Sequence, residues 1–255
     1  NESAPTVTLS VSSTSIAENS GSSISVTATL SNKSYQAITV GLSATGGDAT
    51  VVSGTDFSVA SSISIPANEA SASISFEPID DSGNPTYEEN ETVTLAISGV
   101  TSGSASLGST TSRTITITEN ETVPSITLSG ATSIDEKTQT ATITATSSIK
   151  ADANITLTFA NSGAASASTD YNLSNITISS GSTSGSSTFT PVSDTDYEGG
   201  SETAILTVSA SGISGISNSN PVIITITNKA LNSGTQVTYS SSVADNFAGT
   251  VEYQN

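Results

Sequence analysis

The chain has 255 residues, enough for one large or two ordinary domains, and carries 23 Asp and Glu against 5 Lys and Arg, a net charge of -18. That field repels phosphate backbones and anionic lipid surfaces alike, which excludes nucleic acid as a partner and leaves cations as the natural ligands. His and Cys are both absent, so there is no imidazole for acid–base chemistry, no thiol for a soft metal and no disulfide. A serine nucleophile would have no histidine base, and the chain reads as a non-enzyme. It starts at Asn1 and contains no Met, which reads as a processed product or a piece of a longer protein without a remaining signal peptide. Apolar runs such as Val222-Ile223-Ile224 are far too short for membrane insertion in this segment.

Taken in order, the strands declare themselves by period-two alternation and β-branched content between Gly, Pro, Asn and Ser punctuation. The first copy predicts strand A at 6–12, B at 22–30, C at 37–44, D at 61–66, E at 70–78, F at 91–98 and G at 112–118. At Pro124 the pattern starts again, because Pro5-Thr6-Val7-Thr8-Leu9-Ser10 recurs as Pro124-Ser125-Ile126-Thr127-Leu128-Ser129. Ile16-Ala17-Glu18 returns as Ile134-Asp135-Glu136, and Thr55-Asp56-Phe57 as Thr169-Asp170-Tyr171. The acidic run Asp80 to Glu91 returns as Asp194 to Glu202, and Ile115-Thr116-Ile117-Thr118 as Ile224-Thr225-Ile226-Thr227. Such an ordered duplication marks two tandem units of sandwich size. The second set of strands is expected at 125–129, 138–146, 153–160, 174–179, 184–191, 202–209 and 221–227. Without helical periodicity, the fold class is all-β, two tandem antiparallel Greek-key (immunoglobulin-like) sandwiches. Their bounds are 1–122 and 123–229, with almost no linker, and 230–255 is a tail or the start of a further β module.

If successive strands alternate in direction, the A–B, C–D and E–F connections and the end of strand G share one pole. In the first copy that pole receives Glu18, Asp48, Asp56, Asp80, Asp81, Glu88, Glu89, Glu91, Glu119 and Glu121, while Glu2, Glu69 and Glu77 fall elsewhere. In the second it receives Asp135, Glu136, Asp170, Asp194, Asp196, Glu198 and Glu202, and Asp152 alone falls elsewhere. Carboxylates crowded in this way raise one another's pKa unless a cation intervenes. Calcium accepts six to eight oxygens in irregular loop geometry, whereas magnesium wants a strict octahedron and keeps its waters. Solvated acidity for solubility is the competing account, and the one-sided distribution weighs against it. The stretch Asp194-Thr195-Asp196-Tyr197-Glu198-Gly199 imitates the opening of an EF-hand loop, but Ile205 stands at its twelfth position and no helices flank it.

Several of these segments resemble the Calx-beta family, first recognised in the cytoplasmic loop of sodium–calcium exchangers and common in bacterial surface proteins. The resemblance is carried by Ile16-Ala17-Glu18-Asn19, Gly54-Thr55-Asp56-Phe57, Ile65-Pro66, and Asp80-Asp81 with Tyr87-Glu88-Glu89-Asn90-Glu91-Thr92, followed by Ile115-Thr116-Ile117 and its acidic tail. It covers residues 5 to 121 and, less fully, 124 to 229. It implies calcium ligands at Glu18, Asp56, Asp80, Asp81, Glu88 and Glu91, with Glu119 and Glu121 near the positions after strand G where Asp is commoner. In the second copy it implies Glu136, Asp170, Asp194, Glu198 and Glu202, with Asp196 as a substitute because Thr195 replaces the second Asp. Lys137 beside Glu136, and Asn228-Lys229 where strand G should end in acid, replace part of a divalent charge there.

These readings converge on a calcium-binding spacer or adhesion module of a long extracellular bacterial surface protein or filamentous appendage, with calcium stiffening the inter-domain joint. Its partners would be calcium, other copies of the chain or neighbouring repeats, and a cell-surface target. The alternatives are a calcium-sensing regulatory module and an accessory carbohydrate-binding module of a secreted enzyme. The absence of Trp counts against the last.

Overall fold

The computed structural model describes residues 3–47, 52–137, 139–193, 200–218 and 221–227. Over the first copy the strands are β1 (Thr6–Val11), β2 (Ser15–Ala17), β3 (Ile24–Leu30), β4 (Ile38–Gly46), β5 (Phe57–Val59) and β6 (Ser62–Ile65). They continue with β7 (Ser71–Pro78), β8 (Thr86–Tyr87), β9 (Glu91–Ser102), β10 (Ser106–Leu107) and β11 (Ser112–Thr118). Two five-stranded sheets result, ordered β10-β1-β3-β7-β5 and β2-β11-β9-β4-β6. Between them lies one core, built from the inward half of each alternating strand. Ile24, Val26, Ala28 and Leu30 of β3 are all buried, while Ser25 and Thr29 face out.

The second copy repeats the plan with β12 (Ser125–Ser129), β13 (Ser133–Asp135), β14 (Ala141–Ser147), β15 (Lys150–Ala151), β16 (Ile155–Gly163) and β17 (Tyr171–Asn172). It closes with β18 (Ile176–Ile178), β19 (Ser184–Pro191), β20 (Glu202–Ser211), β21 (Ser217–Asn218) and β22 (Val222–Thr227). Its sheets run β17-β19-β14-β12-β21 and β13-β22-β20-β16-β18 around a second core. The long ladders are antiparallel in both copies, as the alternation requires.

The structure adds short strands that the period-two pattern does not reveal. After β1 the chain crosses to the opposite sheet, where β2 pairs in parallel with β11; β13 does the same with β22. These segments have three residues each, too few for alternation to register. The crossing matters for function, because it delivers Glu18 to the end of β11, directly before Glu119.

An aromatic pair recurs in both cores. Phe57 stacks on Phe76 with centroids 5.3 Å apart, and Tyr171 on Phe189 at 4.6 Å. Each pair fixes the C–D connection against strand E and adds about 0.5–1.5 kcal/mol beyond its buried area. In consequence Asp56 and Asp170, each one residue earlier, occupy equivalent positions.

Candidate metal centre

The pole at the end of β11 is assembled from four connections, each held by a local device. After β2 a 3-10 turn, Glu18–Ser20, closes on Gly21 in the left-handed region at φ 59°, which turns the Glu18 side chain inward. Glu18 is only 7% exposed. On the C–D side, Asp56 accepts a hydrogen bond from the Val52 amide through its own carboxylate and is 6% exposed. Glu91, at the start of β9 and 4% exposed, sits opposite Ile117. The fourth device lies after β11. One oxygen of Glu119 accepts from the Glu88 amide at 2.5 Å, and the other from the amides of Asn120 and Glu121 at 2.7 and 2.8 Å. Glu119 therefore ties the E–F connection to the chain leaving strand G.

Three sets of carboxylates converge here with ligand oxygens within 4.8 Å of one another: Glu18 with Glu119 and Glu121, Glu18 with Asp80 and Asp81, and Asp56 with Glu88 and Glu91. Every residue assigned to the first-copy site from sequence belongs to one of them, and Glu18 belongs to two. Asp48 lies outside the described residues.

Burial and mutual repulsion dominate the electrostatics of Glu18, Glu88 and Glu121. Burial, with the charges of Glu119, Glu88 and Asp81 added, pushes the Glu18 carboxyl up to about 7. Burial and the charges of Glu91, Asp56, Asp81 and Asp152 push Glu88 up to about 8. Glu121 is raised to about 7 by burial and by its hydrogen-bonded neighbour Glu119. Asp56 is raised by burial, partly offset by the Val52 amide. The largest charge effects on Glu18, Glu88 and Glu121 come from carboxylates.

Three fully buried oxygens at this pole have no hydrogen-bond partner: Asp81 Oδ1, Asn120 Oδ1 and Glu121 Oε2. A buried acceptor without a donor costs about 1–3 kcal/mol, more when charged. The donor set is all oxygen, largely anionic and irregular, which suits a hard divalent cation of calcium's coordination number. The residues present fit such an ion.

The second copy keeps the parts and loses the convergence. Asp170 accepts from the Ser166 amide at 2.5 Å, the same contact that Asp56 makes, yet it is half-buried. Glu136 is half-buried in a turn where Asp135 Oδ1 takes the Lys137 amide at 2.9 Å, and Glu202 opens β20 in a half-buried position. Among the described residues, all sets of three converging carboxylates lie in the first copy. Asp194, Asp196 and Glu198 lie outside the described residues.

Sequence reasoning missed one acid. Asp152 sorts to the pole of the second sandwich opposite its other acids, and that pole abuts the acidic pole of the first, so its charge acts on Glu88. The signal was there to read: with almost no linker, the pole where strand G of the first copy ends must meet the pole where strand A of the second begins, which is the pole of its B–C connection and of Asp152.

No protein-family model matches the chain, and no curated protein matches it in sequence. Solved structures overlap it loosely. CBD12 from CALX1.2 is 12% identical, covers 84% of this chain and 96% of its own, and has a TM-score of 0.36. The apo-form Calx CBD1 domain is 19% identical over 46% of this chain and 99% of its own, with a TM-score of 0.37. The Yersinia pseudotuberculosis adhesin InvE is 13% identical over 88% of this chain and 59% of its own, at 0.40. At these scores the overlaps carry neither a family nor a ligand to this chain.

Proposed function

We propose that the chain is a calcium-binding spacer from an extracellular bacterial surface protein or appendage, made of two sandwich domains that meet near residues 122 and 123. Calcium is held at the pole of the first domain. The observation that supports this reading is the meeting of Glu18, Asp56, Glu88, Glu91, Glu119 and Glu121 with Asp80 and Asp81, three of them nearly fully buried, with Glu18, Glu88 and Glu121 pushed up by burial and by one another's charges. Glu18 would bridge two of the three sets, while Asp81 and Glu121 each offer an oxygen that has no other partner.

Bound calcium neutralises the mutual repulsion and satisfies the orphaned oxygens. Because the ligands come from four separate connections, it also clamps the end of the first domain from which the second departs. An extracellular module of this kind works at calcium dissociation constants of about 10⁻⁴ to 10⁻³ M. Isothermal titration of the whole chain tests this: saturable calcium heat that equimolar magnesium does not suppress supports it, and a flat calcium isotherm overturns it.

A further inference from the structure

The B–C connection of the second sandwich is an edge on which a neighbour has docked. β8, from the E–F connection of the first copy, pairs in parallel with β15, setting Thr86 against Lys150 and Tyr87 against Ala151. The Asp152 amide donates to the Tyr87 carbonyl at 3.2 Å, and Lys150 Nζ donates to Asn84 Oδ1 at 2.7 Å. Tyr87 is buried in the second core, and Ala151 is only 3% exposed beneath it.

The first sandwich builds the same edge. Strand B ends at Leu30 and Ser147, and strand C begins at Ile38 and Ile155, so the two B–C connections have equal length. Matching bonds hold them. The Ser31 amide donates to the Thr6 carbonyl at 2.8 Å, and the Ser148 amide to that of Ser125 at 2.9 Å. In return the Thr6 and Ser125 amides donate to the Ser31 and Ser148 hydroxyls at 3.0 and 2.9 Å. The Asn68 amide donates to the Ser34 carbonyl at 2.7 Å, as the Gly181 amide does to that of Ala151 at 2.8 Å, and both donors are left-handed, at φ 64° and 73°. Lys33, Ser34 and Tyr35 therefore stand where Lys150, Ala151 and Asp152 stand.

What differs is the cover. Among the described residues no strand pairs with 33–35. Lys33 is exposed, and Tyr35 is 82% exposed. The lining is also more polar, since Asn32, Ser34 and Gln36 replace Ile149, Ala151 and Ala153. A polar edge carrying one aromatic ring suits a contact that forms and separates in water, not a permanent joint.

We infer that this edge docks the Asp194–Glu198 connection of a second copy, joining chains end to end by the strand pairing that joins the two sandwiches within one. That connection lies outside the described residues, but its sequence repeats the docked one: Tyr87-Glu88 recurs as Tyr197-Glu198, and Asp194 precedes Tyr197 by the same step that separates Asn84 from Tyr87. Where Lys150 meets the neutral oxygen of Asn84, Lys33 meets the carboxylate of Asp194, a stronger, charge-assisted bond. The first copy's B–C pole and the second copy's E–F pole both face away from the joint, so the partner is another chain. The contact needs no cation and stands apart from the calcium reading.

Sedimentation velocity and small-angle scattering of the full chain test this, in chelator and at physiological ionic strength, which screens the net charge of -18. Within a chain the joint is held at an effective concentration of about millimolar order, so free chains are compared up to that order. The wild type should lengthen with concentration at constant cross-section. Lys33→Glu, at an exposed position that leaves the melting temperature unchanged, should lower the association constant about tenfold, and Asp194→Lys should do the same. An equimolar mixture of the two variants should recover association, because altered ends then meet each other and unaltered ends meet each other. A wild type that stays monomeric throughout, association that Lys33→Glu leaves unchanged, or growth in cross-section in place of length would overturn the inference. Each of these results leaves the calcium titration of the proposed function to be judged separately.

Discussion

The two copies share their sequence motifs, yet their acidic poles differ, and the difference separates what a motif builds from what a site needs. Thr-Asp-Phe and Thr-Asp-Tyr make the same loop: the carboxylate takes an amide four residues back, and the following ring stacks on strand E. That part is local and survives in both. Convergence is not local. Glu18 is buried beside Glu119 and Glu121, whereas Glu136 is half-buried in a turn shared with a lysine, and Asn228-Lys229 comes after its strand G. A carboxylate becomes a candidate ligand where distant connections bring others to it, and only the first copy does so among the described residues.

The sharpest way to break this comparison is a matched pair of isosteric substitutions. Glu18→Gln should weaken calcium binding at least tenfold, about the size of losing an anchor of a metal site, while Glu136→Gln should leave it unchanged. Calorimetry on both variants reads the result, and equal losses would mean the copies are equivalent after all.

Next in size is the response to pH. Glu18 and Glu88 have folded-state pKa values raised to about 7 and about 8, above the ordinary 4.5. Folding therefore takes up protons between these limits. The stability they allow is fully present below about pH 4.5 and is lost as pH rises toward 7 and 8. In chelator the melting temperature should fall from pH 5 to pH 8. Saturating calcium should restore it at the upper end, by about 2.7 kcal/mol at one hundred times the dissociation constant. A melting temperature in chelator that climbs over this range would contradict the crowding at the pole.

Smaller effects sharpen the contrast inside the repeated loop. Tyr171 carries a buried hydroxyl without a hydrogen-bond partner, and Phe57 stands at the matching position in the first copy. Tyr171→Phe should stabilise the second sandwich by about 1 kcal/mol, since an unsatisfied buried group costs about that much; chemical denaturation checks it. Smallest of all, Ser168 holds φ 70° where the first copy has Gly54 at 94°. Ser168→Gly should add about 0.5–1 kcal/mol by relieving a left-handed conformation that disfavours a Cβ, again read by denaturation.

Much of the fold was legible because a sandwich strand writes its own burial: the strands expected at 112–118, 125–129 and 184–191 coincide with β11, β12 and β19. The strand expected at 6–12 ends one residue early, and the crossing from it into β2 left no trace in the alternation because three residues form no period. The candidate site was legible as a set of acids on one pole. Its grouping around Glu18 was not, since nothing in the sequence says that Glu119 would be anchored by the amides of Glu88, Asn120 and Glu121.

By itself the sequence determined the all-β architecture, the duplication and the polarity of charge, because each depends on period, order or residue type along the chain. Only the tertiary structure decided which carboxylates lie close enough together to share an ion, that Tyr87 leaves its own sandwich for the next, and that the charge of Asp152 reaches Glu88. Those outcomes depend on how connections far apart in the chain are packed against one another, and distance across a fold is not written in the order of its residues.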